Sequence, residues 1–135
     1  MAKEFTYMGK TLNELQQLTL ADFAKLTNSR ARRSIVRGLD KPTLEKVQEA
    51  FAQYKGAKLP PNTKAIKTHS RDFVIIPQMV GLKMAVYKGN SFEPVEIQPE
   101  MLGHVLGEYV LTRKQVKHGK AGIGSTKSSS AVTAK

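Results

Sequence analysis

The most informative residues for the fold extend from Leu82 to Ile97 and read LKMAVYKGNSFEPVEI. Its first six residues alternate, with Leu82, Met84 and Val86 on one face of a strand. Lys88-Gly89-Asn90-Ser91 follows as a turn, because glycine and asparagine both tolerate positive φ. The chain then returns through Phe92–Ile97 as a second strand. The stretch therefore predicts a β-hairpin with one apolar face.

The pattern on either side of the hairpin predicts a β-containing region over residues 60–111. Leu59-Pro60-Pro61-Asn62 is a rigid linker, and the residues after it change from a helical to a strand-like pattern. Phe73-Val74-Ile75-Ile76 is a short, strand-like apolar run that Pro77 stops. Beyond the hairpin, Pro99-Glu100 is expected to begin a last short helix that Gly103 and Gly107 allow to lie against the sheet.

The N-terminal residues 1–59 carry helix signals instead. Thr11-Leu12-Asn13-Glu14 has the spacing of a capping box and predicts a short helix to about Leu18. Thr19-Leu20-Ala21-Asp22 repeats that signal and predicts a second one. Asp40 is expected to begin the clearest helix, Lys41–Tyr54, whose apolar residues recur at helical spacing. We expect that apolar stripe to pack on the rest of the protein.

The net charge of +11 lies in blocks. Residues 29–39 hold four arginines and no acid, and residues 112–135 hold six Lys or Arg and no acid. The second block is rich in glycine and serine, so we expect a flexible basic tail that cannot bury enough apolar surface to order alone. Blocks of one sign favour a polyanionic partner, with nucleic acid ahead of an anionic membrane surface.

Several classes of protein are disfavoured. Cysteine is absent, which excludes disulfides and thiolate metal sites. Residues Met1–Phe5 lack an apolar signal core, and no run approaches the roughly 20 apolar residues of a membrane span. We therefore expect a cytoplasmic protein that binds no membrane.

Catalysis has little support in the sequence. His69, His104 and His118 are not placed at metal-ligand spacing, so no metal and no other cofactor is expected. Ser70 and Asp72 flank His69, but neighbours in an extended segment project in different directions. An enzyme that acts on RNA is therefore the weakest hypothesis, and we expect neither catalytic residues nor a small-molecule substrate.

The candidate RNA-binding residues donate hydrogen bonds to phosphate or ribose oxygens, and the arginines offer forked donors suited to phosphate. They are Arg30, Arg32, Arg33, Arg37, Lys64, Lys67, Thr68, His69, Ser70, Arg71, Lys88, Gly89, Asn90, His104, Arg113, Lys114, Lys117, His118, Lys120 and Lys127. The sequence shows neither a DNA recognition helix nor an aromatic ladder for single strands. Basic patches on several elements suit a folded RNA that is recognised by shape and backbone.

The residues also resemble a known family. Lys67-Thr68-His69-Ser70-Arg71, Ile76-Pro77-Gln78-Met79-Val80-Gly81 and Pro99-Glu100-Met101-Leu102-Gly103-His104 are similar to small-subunit ribosomal protein family number nineteen. The resemblance is nearly continuous from Lys64 to about Gly124. The N-terminal part, up to about Leu39, resembles the archaeal and eukaryotic branch (number fifteen in older eukaryotic naming) and leans towards the archaeal type.

The resemblance implies an α+β fold, with a small mixed β-sheet and helices packed on one side. It implies a structural constituent of the small ribosomal subunit in the cytoplasm, bound to ribosomal RNA in the subunit head. The neighbouring head protein number thirteen would be a partner, and the tail would run toward the decoding region and the tRNAs. The alternative is a cationic adaptor for a membrane surface or an acidic protein, which the mixed charges of Lys41–Tyr54 fit poorly.

Overall fold

Four α-helices and five strands form an α+β fold in the computed structural model, which describes residues 4–55 and 59–119. In chain order they are β1 (Thr6–Tyr7), β2 (Lys10–Thr11), α1 (Leu12–Gln17), α2 (Leu20–Leu26), α3 (Ser29–Arg37), α4 (Lys41–Tyr54), β3 (Ile66–Thr68), β4 (Lys83–Tyr87) and β5 (Phe92–Glu96). Three short 3-10 helices cover Pro77–Met79, Pro99–Met101 and Leu106–Tyr109. No helix in this part of the chain is long and apolar enough to cross a membrane.

The predicted hairpin is confirmed as β4 and β5, which pair antiparallel. The edge strand β3 runs parallel to β4, so the three-stranded sheet is mixed, in the order β3-β4-β5. Paired residues share a face, which gives the sheet an inner face that contains Met84 and an outer face that contains Ala85. On the inner face, Thr68 Oγ1 lies 3.0 Å from Thr43 Oγ1 of α4. The longest helix therefore packs on the inner face of the sheet.

The helix starts expected from the sequence are also confirmed. Thr11 forms a capping box with Glu14 at the start of α1. The side chain of Thr19 accepts a hydrogen bond from the backbone N–H of Asp22, and Asp40 accepts one from Thr43 in the same way. Such caps satisfy backbone donors that the first turn of a helix leaves unpaired.

The expectation that Phe73–Ile76 would be strand-like is wrong. These residues form only an isolated bridge, between Val74 and Val105, and all four are buried. Their backbone bonds to the segment around Gly103 instead, with Ile75 N–H donating to His104 O at 2.8 Å. The run crosses the interior of the protein, where a continuous apolar sequence is buried on every side. The third strand of the sheet is instead β3, which contains the candidate RNA-binding residues Lys67 and Thr68.

The helix expected from Pro99 onward is absent, and two 3-10 helices stand in its place. Gly103 separates them with a φ of +81°, and a Cβ at this position would lie 2.9 Å from Tyr7 Oη. A left-handed φ ends a helix and favours glycine. Gly103 thus allows a close approach of Tyr7 in β1, which pairs antiparallel with β2, whereas Gly107 lies against the backbone of Arg71.

One hydrophobic core joins the helical and the β-containing regions. The N-terminal helices contribute Leu15, Phe23 and Val47, which are at most 1% exposed. These pack with fully buried residues of the later region, such as Ile75 and Met84. The shared core fixes the position of α3 relative to the sheet, and so the geometry of the cationic side chains.

Candidate nucleic-acid interface

The arginine block 29–39 forms α3, with Asn28 as its N-cap and Gly38 at its C-terminal end. Arg30, Arg33 and Arg37 are exposed and make no hydrogen bond within the described residues. We call these three side chains the arginine face. Their donors remain available to a partner, and no acid on α3 offsets their charge.

Arg32 differs from its neighbours on α3. Its Nε donates to Ala24 O at 3.2 Å, and its Nη2 donates to Lys25 O at 3.4 Å and Thr27 O at 3.2 Å. These are carbonyls at the C-terminal end of α2, where a cation is favoured by the helix dipole. Arg32 therefore links α3 to α2. The sequence predicted that its donors would bind RNA, but they bond to backbone carbonyls of the fold.

An open groove of about 420 Å³ runs beside the arginine face, lined on one side by Arg30, Ser34 and Arg37. Ser70 and two carboxylates, Asp40 and Asp72, line it too. The hydrogen bond from the Thr43 hydroxyl holds the pKa of Asp40 below its usual range, so Asp40 is ionised at neutral pH. The groove is thus cationic along α3 and carries negative charge on the side of Asp40 and Asp72.

The stretch around β3 divides into exposed and internal residues. Lys64, Lys67 and His69 are exposed. Thr68 is buried, and besides its contact with α4 its Oγ1 accepts a hydrogen bond from Ser70 N–H at 3.0 Å. Thr68 therefore shapes the loop that follows β3, and the exposed residues around it remain accessible to a ligand.

Arg71, like Arg32, donates three hydrogen bonds to backbone carbonyls of the fold. Its Nη1 donates to Tyr87 O at 2.8 Å, and its Nη2 donates to Gly107 O at 3.0 Å and also to Val110 O. The guanidinium is half-buried and joins the end of β4 to the last 3-10 helix and the residue after it. Its planar fork holds donors toward several carbonyls in a fixed geometry, which the ammonium of a lysine does not provide.

The turn of the hairpin and the segment after Val110 form a second basic surface. Lys88, Asn90, Arg113 and Lys114 line an open groove of about 360 Å³, together with Glu93, Leu111 and Thr112. We call the first four residues the tip patch. Gly89 has a φ of +105°, as the turn chemistry predicted, and Lys88 pairs with Glu93 at 3.4 Å.

The other candidate residues lie away from a shared site or outside the described residues. Lys117 and His118 are exposed on the segment beyond the tip patch. His104 lines a pocket with Tyr7 and Met8, and its Nδ1 lies 2.8 Å from the carboxylate of Glu108. Lys120 and Lys127, with the rest of the expected tail from residue 120 onward, fall outside the described residues.

The sheet also assembles an aromatic cluster that the sequence analysis did not find. The ring centroid of His69 lies 4.5 Å from that of Tyr87 and 5.1 Å from that of Phe92. Lys67 Nζ lies 5.4 Å from the centroid of the Phe92 ring. No local pattern in the sequence indicates this cluster. The register of the strands brings its residues, which are far apart in the chain, onto one face.

The described residues contain no group of three His, Cys, Asp or Glu side chains arranged to hold a metal ion. Arginine and lysine side chains on three surfaces offer hydrogen-bond donors and positive charge.

The chain is similar to known proteins over nearly its whole length. Residues 33–118 match the family model described as Ribosomal protein S19. The chain is 49% identical over 132 residues to the small ribosomal subunit protein uS19 of two strains of Halobacterium salinarum, covering 98% of this chain and 92% of theirs. It is 47% identical over 136 residues to the uS19 protein of Halorubrum lacusprofundi, with the same coverage.

These relatives span nearly the whole chain, including the N-terminal helices that precede the matched family region. The resemblance found in the sequence is thereby confirmed, as is its archaeal type. The chain belongs to the ribosomal protein S19 family and is a structural, non-enzymatic component of the small ribosomal subunit in the cytoplasm.

Proposed function

We propose that the chain binds ribosomal RNA in the head of the small subunit through the arginine face, the tip patch and the exposed residues around β3. The observation that carries this proposal is the arginine face, where three guanidinium groups have no hydrogen-bond partner among the described residues. Forked donors of this kind match phosphate oxygens.

The contrast between neighbouring arginines supports the proposal. Arg32 and Arg71 satisfy backbone carbonyls within the fold, so their presence is explained without a partner. The exposed arginines of α3 have no such explanation, and a block of like charge repels itself in the absence of a counterion. Within the interface, Arg32, Thr68 and Arg71 would position the elements that carry the exposed donors.

The finer parts of the proposal concern placement. We propose that the chain lies beside protein number thirteen of the subunit head, with residues 112–135 directed toward the decoding region and the tRNAs. Lys120 and Lys127 would then add to the phosphate contacts made by Arg113, Lys114 and Lys117. The adaptor alternative has weaker support, because α4 mixes lysines with glutamates and the chain has no Trp to anchor in a membrane.

Binding to a small-subunit ribosomal RNA transcript is expected to weaken steeply with salt. If about eight phosphates are neutralised, log K should fall against log salt with a slope of roughly −6 to −7. Filter binding of the full chain between low and moderate salt measures this slope. A transcript of equal length from an unrelated RNA is the control for non-specific binding. A slope near zero would contradict the proposal.

A further inference from the structure

We propose that an unpaired RNA base stacks on the aromatic cluster of the outer face, formed by His69, Tyr87 and Phe92. The inference rests on the proposed RNA binding and deepens it by naming the part of the RNA that this surface takes. The phosphate-binding surfaces described above would position the backbone, and the cluster would hold one base.

The geometry of the sheet builds the cluster. Tyr87 lies directly opposite Phe92 in the register of β4 and β5, and the two ring centroids are 5.2 Å apart. Lys67 of β3 pairs with Ala85 of β4, on the outer face. His69 lies two residues after Lys67, just beyond the end of β3. Its ring contacts both others, at interplanar angles of 53° and 72°. Three rings from three segments therefore meet at one end of the outer face.

Packing within the fold explains only part of this arrangement. Tyr87 and Phe92 form a cross-strand pair of a kind that stabilises hairpins, and both are half-buried. Tyr87 also donates its hydroxyl hydrogen to Gly89 O at 2.7 Å. His69 has neither role, because it is exposed and makes no hydrogen bond within the described residues. Helix α4 packs on the opposite, inner face and does not cover the ring of His69.

The charge around the cluster favours a nucleotide as the ligand. The ammonium group of Lys67, which lies on the same outer face, is 5.4 Å from the centroid of the Phe92 ring. A base needs a π-face and its phosphate needs a cation, and both occur here within one side-chain length. The carboxylate of Glu93, next to Phe92 in the chain, is paired with Lys88 at 3.4 Å.

Base stacking on an aromatic side chain has a signature that separates it from phosphate binding. Loss of a stacked base typically lowers affinity by about 5- to 150-fold. The change is expected at every salt concentration and without a change in the salt slope, because no counterion is released by stacking.

The test measures the affinity of the full chain for a small-subunit ribosomal RNA transcript across salt, in four variants. His69→Ala and Phe92→Leu remove a ring, and each is expected to weaken binding about tenfold with an unchanged slope. His69→Phe keeps a ring but loses the imidazole donors, and is expected to retain most of the affinity that His69→Ala loses. Phe51→Leu on α4, away from the outer face, is the matched control and should also bind normally.

The outcomes separate this inference from the proposed function. If the unmodified chain binds with the expected slope while His69→Ala and Phe92→Leu bind equally well, stacking is overturned and RNA binding stands. Equal losses in His69→Ala and His69→Phe would mean that the imidazole donates hydrogen bonds, which also overturns stacking. If the unmodified chain does not bind, the proposed function itself fails. His69 is exposed, so His69→Ala should fold even where Phe92→Leu does not.

Discussion

Replacing Arg71 with methionine is expected to lower the free energy of unfolding by about 3 kcal/mol. The variant loses the hydrogen bonds from one guanidinium to Tyr87 O, Gly107 O and Val110 O. Hydrogen bonds to charged groups contribute about 1.5–3 kcal/mol each, and the half-buried position of Arg71 reduces their sum. For a domain of this size the melting temperature should fall by roughly 10–20 °C, measurable by circular dichroism.

Two further variants test the reason for that loss. Arg71→Lys keeps the charge but not the fork, so it should recover only part of the stability. Arg33→Met removes an exposed arginine that makes no hydrogen bond within the described residues, and its melting temperature should change little. If Arg71→Met melted like Arg33→Met, the internal role assigned to Arg71 would be wrong.

Replacing Arg30, Arg33 and Arg37 together with glutamine is expected to weaken RNA binding about 100-fold at moderate salt. Each lost phosphate contact should reduce the salt slope by nearly one, so the slope should become shallower by about 2–3. Glutamine keeps helix propensity close to that of arginine, and the removed groups are exposed, so stability should be unchanged. The salt titration described above measures both quantities.

Arg32→Gln is the matched control on the same helix. Arg32 donates to the carbonyls at the end of α2, so this variant should lose stability while the salt slope changes by less than one. A triple variant with the slope of the unmodified chain would show that the arginine face does not contact phosphates, and would move the interface elsewhere.

Local signals in the sequence were sufficient for the elements that depend on neighbouring residues. The hairpin was predictable because the alternation in β4 and the turn at Gly89 lie within one short stretch. The helices were predictable because Thr11, Thr19 and Asp40 cap them from the adjacent position. Each of these signals acts over three or four residues, and tertiary packing did not override it.

The errors arose where distant residues decide the structure. The apolar run Phe73–Ile76 has the composition of a buried strand, but periodicity cannot distinguish a strand from an irregular segment inside the core. β3 is only three residues long and gains its pairing from β4, which follows much later in the chain. Gly103 lies close to Tyr7, which is far away in the chain, and no local pattern reveals that contact.

The sequence identified the charged residues of the candidate site, but not which of them bond within the fold and which are exposed. Arg32 and Arg33 are adjacent and chemically identical, yet one bonds to α2 and the other projects into solvent. Arg71 is likewise internal, whereas Lys64 and Lys67 of the same stretch are exposed. Which arginine is internal depends on where backbone carbonyls lie in three dimensions. The aromatic cluster depends on strand register for the same reason.

Ultraviolet crosslinking in small ribosomal subunits tests the central claim most directly. Subunits would be purified from cells that make the tagged chain, irradiated, and digested, and the peptides joined to RNA identified by mass spectrometry. RNA binding through the proposed interface predicts crosslinks between ribosomal RNA and peptides from α3, from residues 64–71 or from the tip patch. A chain that is present in the subunits but crosslinks to RNA only through the solvent-facing side of α4 would contradict it.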